Sequence, residues 1–193
     1  MNIYDNVLGK NALALIQKEI VNAQSFPWYK TITTDDSKDA YNIHDFSWFH
    51  MVLKDGDIAS QSYSLIYPLL VSAFDYIGEP VNNFLRFRLA LQTSIGQLYI
   101  NDAHVDDTTP HKTAIMYLVN SDGPTIVYNE KYDTSSGLHS RSYRDNVLNN
   151  KLTVKQEVAP IENRLLVFDG LHYHASQRPV NHAYRVILNI NYN

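Results

Sequence analysis

From residue 84 to 192 the chain reads as short apolar runs broken by turn residues, and that pattern most narrows the folds open to it. The first run sets Leu85, Phe87, Leu89 and Leu91 against Arg86, Arg88, Ala90 and Gln92. That period of two belongs to a strand with one face in a core. Further strands are expected at 98–100, 114–119, 125–128, 152–158, 164–168 and 185–192. Turn signals separate them at Ser121-Asp122-Gly123-Pro124, Ala159-Pro160 and Asp169-Gly170. The polar stretch 129–150, with Tyr132 and Tyr143, reads as a loop or short helix inserted between strands.

The first third has a different rhythm. Leu13, Ile16, Ile20 and Ala23 recur at helical spacing over 9–24. Phe26-Pro27-Trp28-Tyr29 ends that helix and begins a polar loop to about Tyr41. FSWFHMVL at 46–53 is aromatic and β-prone, with a turn at 54–57. Residues 58–77 look helical, with Pro68 expected to kink or divide the helix, and Gly78-Glu79-Pro80 closes it. Helices followed by many short strands argue an α+β fold. We expect a β-sandwich or jelly-roll core over about 81–193, buttressed by helices within about 1–80, as one domain.

Composition removes several function classes. With 45% hydrophobic and 19% charged residues the 193-residue chain is globular in character. A formal charge of −4 gives no general attraction to nucleic acid or an anionic membrane. The absence of cysteine excludes disulfides, thiolate zinc sites, iron–sulfur clusters and a cysteine nucleophile, and it agrees with a reducing cytoplasm. The N-terminus lacks the pattern of a signal peptide, and the longest apolar stretch, at 64–73, is far short of a bilayer span. The fourteen tyrosines suit half-buried strand surfaces.

His104-Val105-Asp106 carries the chemistry. Residues two apart on an extended backbone face one side, so His104 and Asp106 can converge on one ion while Val105 turns away. A distant second histidine would complete a facial triad with open coordination positions. Two candidates exist, His174 and His172, and they would share a face of a continuous strand. Asp107 is the runner-up to Asp106 but points away from His104. Arg185, eleven positions beyond His174, opens an apolar strand whose inward face should be hydrocarbon. A buried guanidinium needs a carboxylate partner, and a bidentate pair meets that need. Arg86 and Arg88 share a strand face that reads as salt-bridged or solvated; the other reading puts one in the barrel mouth, gripping an anion. His44, His50, His111, His139 and His182 read as surface or strand residues, although His111 lies near enough to the motif to touch substrate. The aromatics Phe26, Trp28, Tyr29, Trp48 and Phe49 read as core packing.

These motifs resemble the Fe(II)/2-oxoglutarate-dependent dioxygenases, in particular the compact prolyl-hydroxylase-like members, including those encoded by bacteriophages. The resemblance spans 84–192. It runs through His104-Val105-Asp106, Tyr117-Leu118-Val119-Asn120, Asp122-Gly123-Pro124-Thr125, Pro160, Leu166-Val167-Phe168-Asp169-Gly170, His174-Ala175 and Arg185. It implies a double-stranded β-helix (a jelly-roll, cupin-like core) with His104, Asp106 and His174 as iron ligands. It also implies Arg185 as the anchor of the 2-oxoglutarate C5 carboxylate, with dioxygen as co-substrate. Some members carry a serine two residues after the basic residue. Here that position is Ile187, so another co-substrate contact is expected from Tyr117, or from Tyr99 or Arg88. Gly123-Pro124-Thr125 is a shortened form of the family's Gly-Gly-x-Thr turn.

The activity implied is hydroxylation coupled to oxidative decarboxylation of 2-oxoglutarate. A prolyl or other peptidyl side chain is the first expected substrate, then a small molecule or free amino acid, and last a nucleobase. The loops at 30–45 and 129–150 are expected to shape the mouth. Two other classes stay open: a cupin-like metal-binding isomerase or dioxygenase without 2-oxoglutarate, and a non-catalytic β-sandwich binding or structural module.

Overall fold

A computed structural model describes residues 1–32 and 46–193. His44 and most of the 30–45 loop lie outside the described residues. Strand β1 (Asn2–Asp5) precedes helix α1 (Lys10–Ile16), which widens into one π-helical turn at Gln17–Val21. Strands β2 (Tyr29–Ile32), β3 (Phe46–Lys54) and β4 (Asp57–Ile58) come before helix α2 (Tyr63–Ile77). Pro68 lies inside α2, and Gly78 stops it in the left-handed conformation at φ 67°. Strands β5 (Phe84–Thr93), β6 (Lys112–Tyr117) and β7 (Thr125–Lys131) follow. A short helical segment comes next, α3 (Ser140–Ser142) with a π-helical turn at Tyr143–Val147. Strands β8 (Val154–Val158), β9 (Arg164–Asp169), β10 (His172–Ser176) and β11 (Tyr184–Tyr192) complete the chain. Among the described residues no helix is long and apolar enough to cross a membrane.

Two antiparallel sheets result. The larger runs β1-β9-β6-β11-β5-β3-β2, with β4 paired to β3; the smaller runs β10-β7-β8. Among the described residues, those within 1–80 therefore contribute four strands to the large sheet as well as two helices. The stretch 98–100 forms no strand of its own: only Ile100 is bridged, to Gln177.

The period of two sorts each strand of the large sheet between two environments. Phe87, Leu89, Val186, Leu188 and Ile190 point to the helical side, where they pack with Ile16, Ile20, Ile66, Leu70 and Phe74. Phe87 and Leu89 are fully buried, and each such side chain contributes about 1.5–3 kcal/mol of hydrophobic stabilisation. The opposite face carries Ala90, Ile115, Tyr117 and Ile187 against Val127 and Val158 of the small sheet.

The inward residues form rows. Gln92 pairs with Arg185, Ala90 with Ile187, and Arg88 with Asn189. On the other side of β11, Ile187 pairs with Tyr117, Asn189 with Ile115 and Asn191 with Thr113. The floor between the sheets is thus apolar in its middle row and polar on both sides of it.

Candidate metal centre

His104 and His174 are brought together by backbone. His104 N–H donates to the His174 carbonyl at 3.0 Å, and His174 N–H donates to the His104 carbonyl at 2.9 Å. Such a directly opposed antiparallel pair puts both side chains on one face, and the ring centroids are 4.6 Å apart. Two residues on, Asp106 turns the same way while Val105 packs with Tyr132 and Tyr173. The His104 and His174 Nε2 atoms each lie 3.8 Å from an Asp106 carboxylate oxygen. One ligand atom from each residue falls within 4.8 Å of the others, a span one ion can bridge.

The tautomers suit ligation. His104 Nδ1 faces the Asp102 carbonyl at 3.1 Å, and His174 Nδ1 faces the His172 carbonyl at 3.2 Å. A carbonyl only accepts, so each Nδ1 carries the proton and each Nε2 lone pair is free. Burial, then the neighbouring His104, lowers the His174 pKa to about 4, against the pull of Asp106. His174 is therefore neutral at physiological pH.

Asp106 is held as a carboxylate. Burial alone would raise its pKa, but Arg86 and Arg88, joined at acid pH by His174 and His104 once these are protonated, outweigh burial and keep it well below the usual range. Its Oδ2 accepts from Asn189 Nδ2 at 2.9 Å and Asn191 Nδ2 at 3.0 Å. Its Oδ1 has Arg86 Nη2 at 2.6 Å as an ion-pair contact, yet it is buried without a hydrogen-bond partner. A buried carboxylate oxygen with spare lone pairs beside two free imidazole nitrogens is the donor set a divalent ion satisfies.

Arg185 is only 2% exposed. Its Nη1 donates to Gln92 Oε1 at 3.1 Å and its Nη2 to Thr125 Oγ1 at 2.6 Å, while its Nε is buried without a partner. Its guanidinium carbon lies 5.6 Å from the Tyr117 ring centroid. Burial pushes its pKa down, and Tyr117 opposes that shift. Among the described residues no carboxylate pairs with it. A buried cation with only neutral partners is costly, so this end of the cavity is built for an anion.

The triad and Arg185 line one cavity of about 510 Å³. Tyr117 does not line it: its hydroxyl donates to Thr125 Oγ1 at 2.7 Å, beneath Arg185. Tyr99 lies outside the lining too, its carbonyl accepting from Arg178 N–H at 2.9 Å. His172 is not in the triad. A bulge between His172 and His174 breaks the alternation, and His172 bonds the Tyr128 carbonyl at 2.8 Å and Lys155 Nζ at 3.1 Å. Asp107 accepts from Thr109 N–H and Oγ1. His111 is buried under Gly170, whose N–H bonds its carbonyl, and it does not reach the cavity.

Gln92, Thr125, Asn189 and Asn191 escaped the sequence reading as site residues. The signal for the asparagines was present: Asn189 and Asn191 alternate with Leu188 and Ile190 in an otherwise apolar strand. The insertion does reach the mouth, where His139, Ser140, Arg141 and Arg144 line the opening. Tyr173 Oη fastens it through the Ser140 carbonyl at 2.5 Å, and Arg144 Nη1 through the Ala103 carbonyl at 2.6 Å.

No protein-family model and no curated protein matches the sequence. Solved structures do match. A prolyl hydroxylase from Trichoplax adhaerens, in complex with a hypoxia inducible factor peptide fragment, aligns over 99% of this chain and 82% of that one, with TM-score 0.59 and 15% identity. A Pseudomonas putida prolyl-4-hydroxylase aligns over 100% and 91%, with TM-score 0.57 and 13% identity. HygX from Streptomyces hygroscopicus, with nickel and 2-oxoglutarate bound, aligns over 99% and 81%, with TM-score 0.60 and 11% identity. The chain therefore has the jelly-roll fold of the 2-oxoglutarate–iron(II) oxygenases.

Proposed function

We propose that this protein is a non-haem iron oxygenase that couples oxidative decarboxylation of 2-oxoglutarate to hydroxylation of a substrate. The observation that carries the reading is a single cavity holding a His-Asp-His triad and, apart from it, a buried arginine without a carboxylate. His104, Asp106 and His174 would hold the ferrous ion. Arg185 would take the far carboxylate of 2-oxoglutarate, with Gln92 and Thr125 fixing the guanidinium plane. Bound iron and 2-oxoglutarate supply the dioxygen activation, releasing succinate and carbon dioxide and oxidising a substrate C–H bond.

The protein's own residues supply binding and orientation. Asn189 and Asn191 fix the Asp106 carboxylate plane, and the Asp102 and His172 carbonyls hold the protons that leave both Nε2 atoms free. Thr125 Oγ1 links Tyr117 Oη to Arg185 Nη2, so this hydroxyl holds the guanidinium in place at the cavity wall.

Structures alike in fold hold different molecules: a peptide fragment in one, hygromycin B in another. A peptidyl side chain, prolyl included, or a small molecule is the corresponding substrate class here. A cytoplasmic setting agrees with the lack of cysteine. Anaerobic addition of Fe(II) and 2-oxoglutarate is the direct test. The intact protein should develop a weak visible charge-transfer band, and His174→Ala should abolish it. Arg185→Ala should weaken 2-oxoglutarate about 30-fold or more while leaving metal uptake in place. Metal uptake by the intact protein with no binding of 2-oxoglutarate would move it to a cupin-like activity without that co-substrate, and full 2-oxoglutarate affinity in Arg185→Ala would remove Arg185 as the anchor.

A further inference from the structure

Arg88 is the cavity-lining cation that the triad and Arg185 leave unexplained. Its side chain is three-quarters buried, its Nε is buried without a partner, and among the described residues it makes no hydrogen bond. One face of the guanidinium is covered by Phe49, whose ring centroid lies 4.5 Å away. Among the described residues its one carboxylate neighbour is Asp106, with Nη2 3.8 Å from Oδ1, and Arg86 is a second cation beside it. Arg86 stands much nearer that oxygen, at 2.6 Å, and Asn189 and Asn191 hold Oδ2, so at 3.8 Å Arg88 is a distant ion-pair neighbour with no hydrogen bond to the carboxylate. Five N–H donors in a fixed fork, held against an aromatic wall and left unused, are a prepared anion site.

We propose that Arg88 binds a carboxylate of the substrate, so that the molecule oxidised is a carboxylic acid whose carboxylate lies close to the reacting carbon. The inference rests on the oxygenase reading of the same cavity.

Position argues for the substrate over the co-substrate. Arg185 belongs to the row with Gln92, and Arg88 to the row with Asn189, with Ala90 and Ile187 between them. Those rows lie four positions apart along β11, about 13 Å at the rise of a strand. The two cations thus stand on opposite sides of an apolar step. Arg88 also sits beside Phe49 of β3, on the flank where Thr31 of β2 reaches the cavity wall. Charge argues for a carboxylate over a phosphate dianion. Arg141 and Arg144, the other arginines at the mouth, already face Asp102 and Asp145. Asp102 and Asp107 on the rim would repel a second negative charge.

The test is calorimetric, on anaerobic protein loaded with Fe(II) and 2-oxoglutarate. The probes are L-proline, L-phenylalanine, benzoate and glutarate, each against its primary amide. Support requires that at least one acid binds about tenfold or more tighter than its amide, as a charge-assisted pair provides. That preference should vanish in Arg88→Gln and be partly restored in Arg88→Lys. The 2-oxoglutarate Kd should stay within about twofold across the variants, as for independent sites. The proposal is overturned if no acid outbinds its amide, or if the preference survives Arg88→Gln and so belongs to the metal. It is equally overturned if Arg88→Gln weakens 2-oxoglutarate about tenfold, since the arginine then serves the co-substrate. Failure of the intact protein to take up iron and 2-oxoglutarate would count against the oxygenase reading instead. The acid-over-amide preference is then read on the metal-free protein, where Arg88 has the same neighbours.

Discussion

Asp106 is positioned by several groups besides the two imidazoles that face it. Asn189 and Asn191 both donate to Oδ2, and Asn191 also donates to Thr113 Oγ1 at 3.0 Å, which locks its amide. Removing such a support lets the carboxylate rotate and leaves Arg86 as its dominant partner. Asn191→Ala should therefore lower affinity for Fe(II) or Co(II) about 10–100-fold, the usual effect of losing an orienting group behind a ligand. Metal titration of the folded variant measures it, and unchanged affinity would mean that Asn189 suffices. The convergence of His104 and Asp106 was legible because a period of two places them together whatever the fold. The choice of His174 over His172 was not. The bulge that separates them depends on how β10 meets β7, and no local pattern records it.

At the scale of elements, the strands that could be read are those with one face in a core. β5, β9 and β11 carry strong alternation or continuous apolar runs, and they appear nearly where expected. β1 and β2 were missed because they are short, polar edge strands; Tyr29, for example, is 63% exposed. β10, with two histidines and a serine in five residues, lacks an apolar pattern altogether. The turn before β7 is tied by side chains. Asp122 accepts from the N–H groups of Val180, Asn181 and His182, and from Asn181 Nδ2. Gly123 fits there because a Cβ would lie 2.4 Å from the Gln177 carbonyl oxygen. Gly123→Ala should cost about 1–3 kcal/mol, as overpacking against backbone does, and should lower Tm accordingly. Burial opposes the shift, but those hydrogen bonds win and lower the Asp122 pKa to about 2. A depressed carboxylate stabilises the fold above its unfolded pKa, and that contribution is lost as pH falls toward the folded value. The stability gap between the protein and Asp122→Asn should therefore be full above about pH 4 and close between about pH 4 and 2. The side chain is a quarter exposed, so the gap should be on the order of 1 kcal/mol after screening. Urea melts across that range measure it, and a gap independent of pH would mean that neutral hydrogen bonding does the holding.

Across the whole molecule, one sheet separates a helical core from the cavity. That division explains what the sequence could not place: Gln92 meets Arg185, and Arg88 meets Asn189, only because β5 and β11, distant in the chain, are neighbours in the sheet. It also predicts that stability and ligand binding can be perturbed separately. Phe74 of α2 packs edge-on against Phe84 at 5.5 Å and Tyr192 at 5.0 Å, within the helical core. Phe74→Ala should cost about 3–5 kcal/mol through lost burial and a residual cavity. Because the same strands line both faces, the variant should still unfold in one cooperative transition. Below that transition its affinity for Fe(II) and 2-oxoglutarate should match the parent, since none of the triad, Arg185, Gln92 and Thr125 belongs to that core. Thermal melts paired with anaerobic titration at low temperature measure both quantities. A folded Phe74→Ala protein with weakened 2-oxoglutarate binding would show that α2 sets the register of β5 against β11, and with it the alignment of Gln92 beside Arg185.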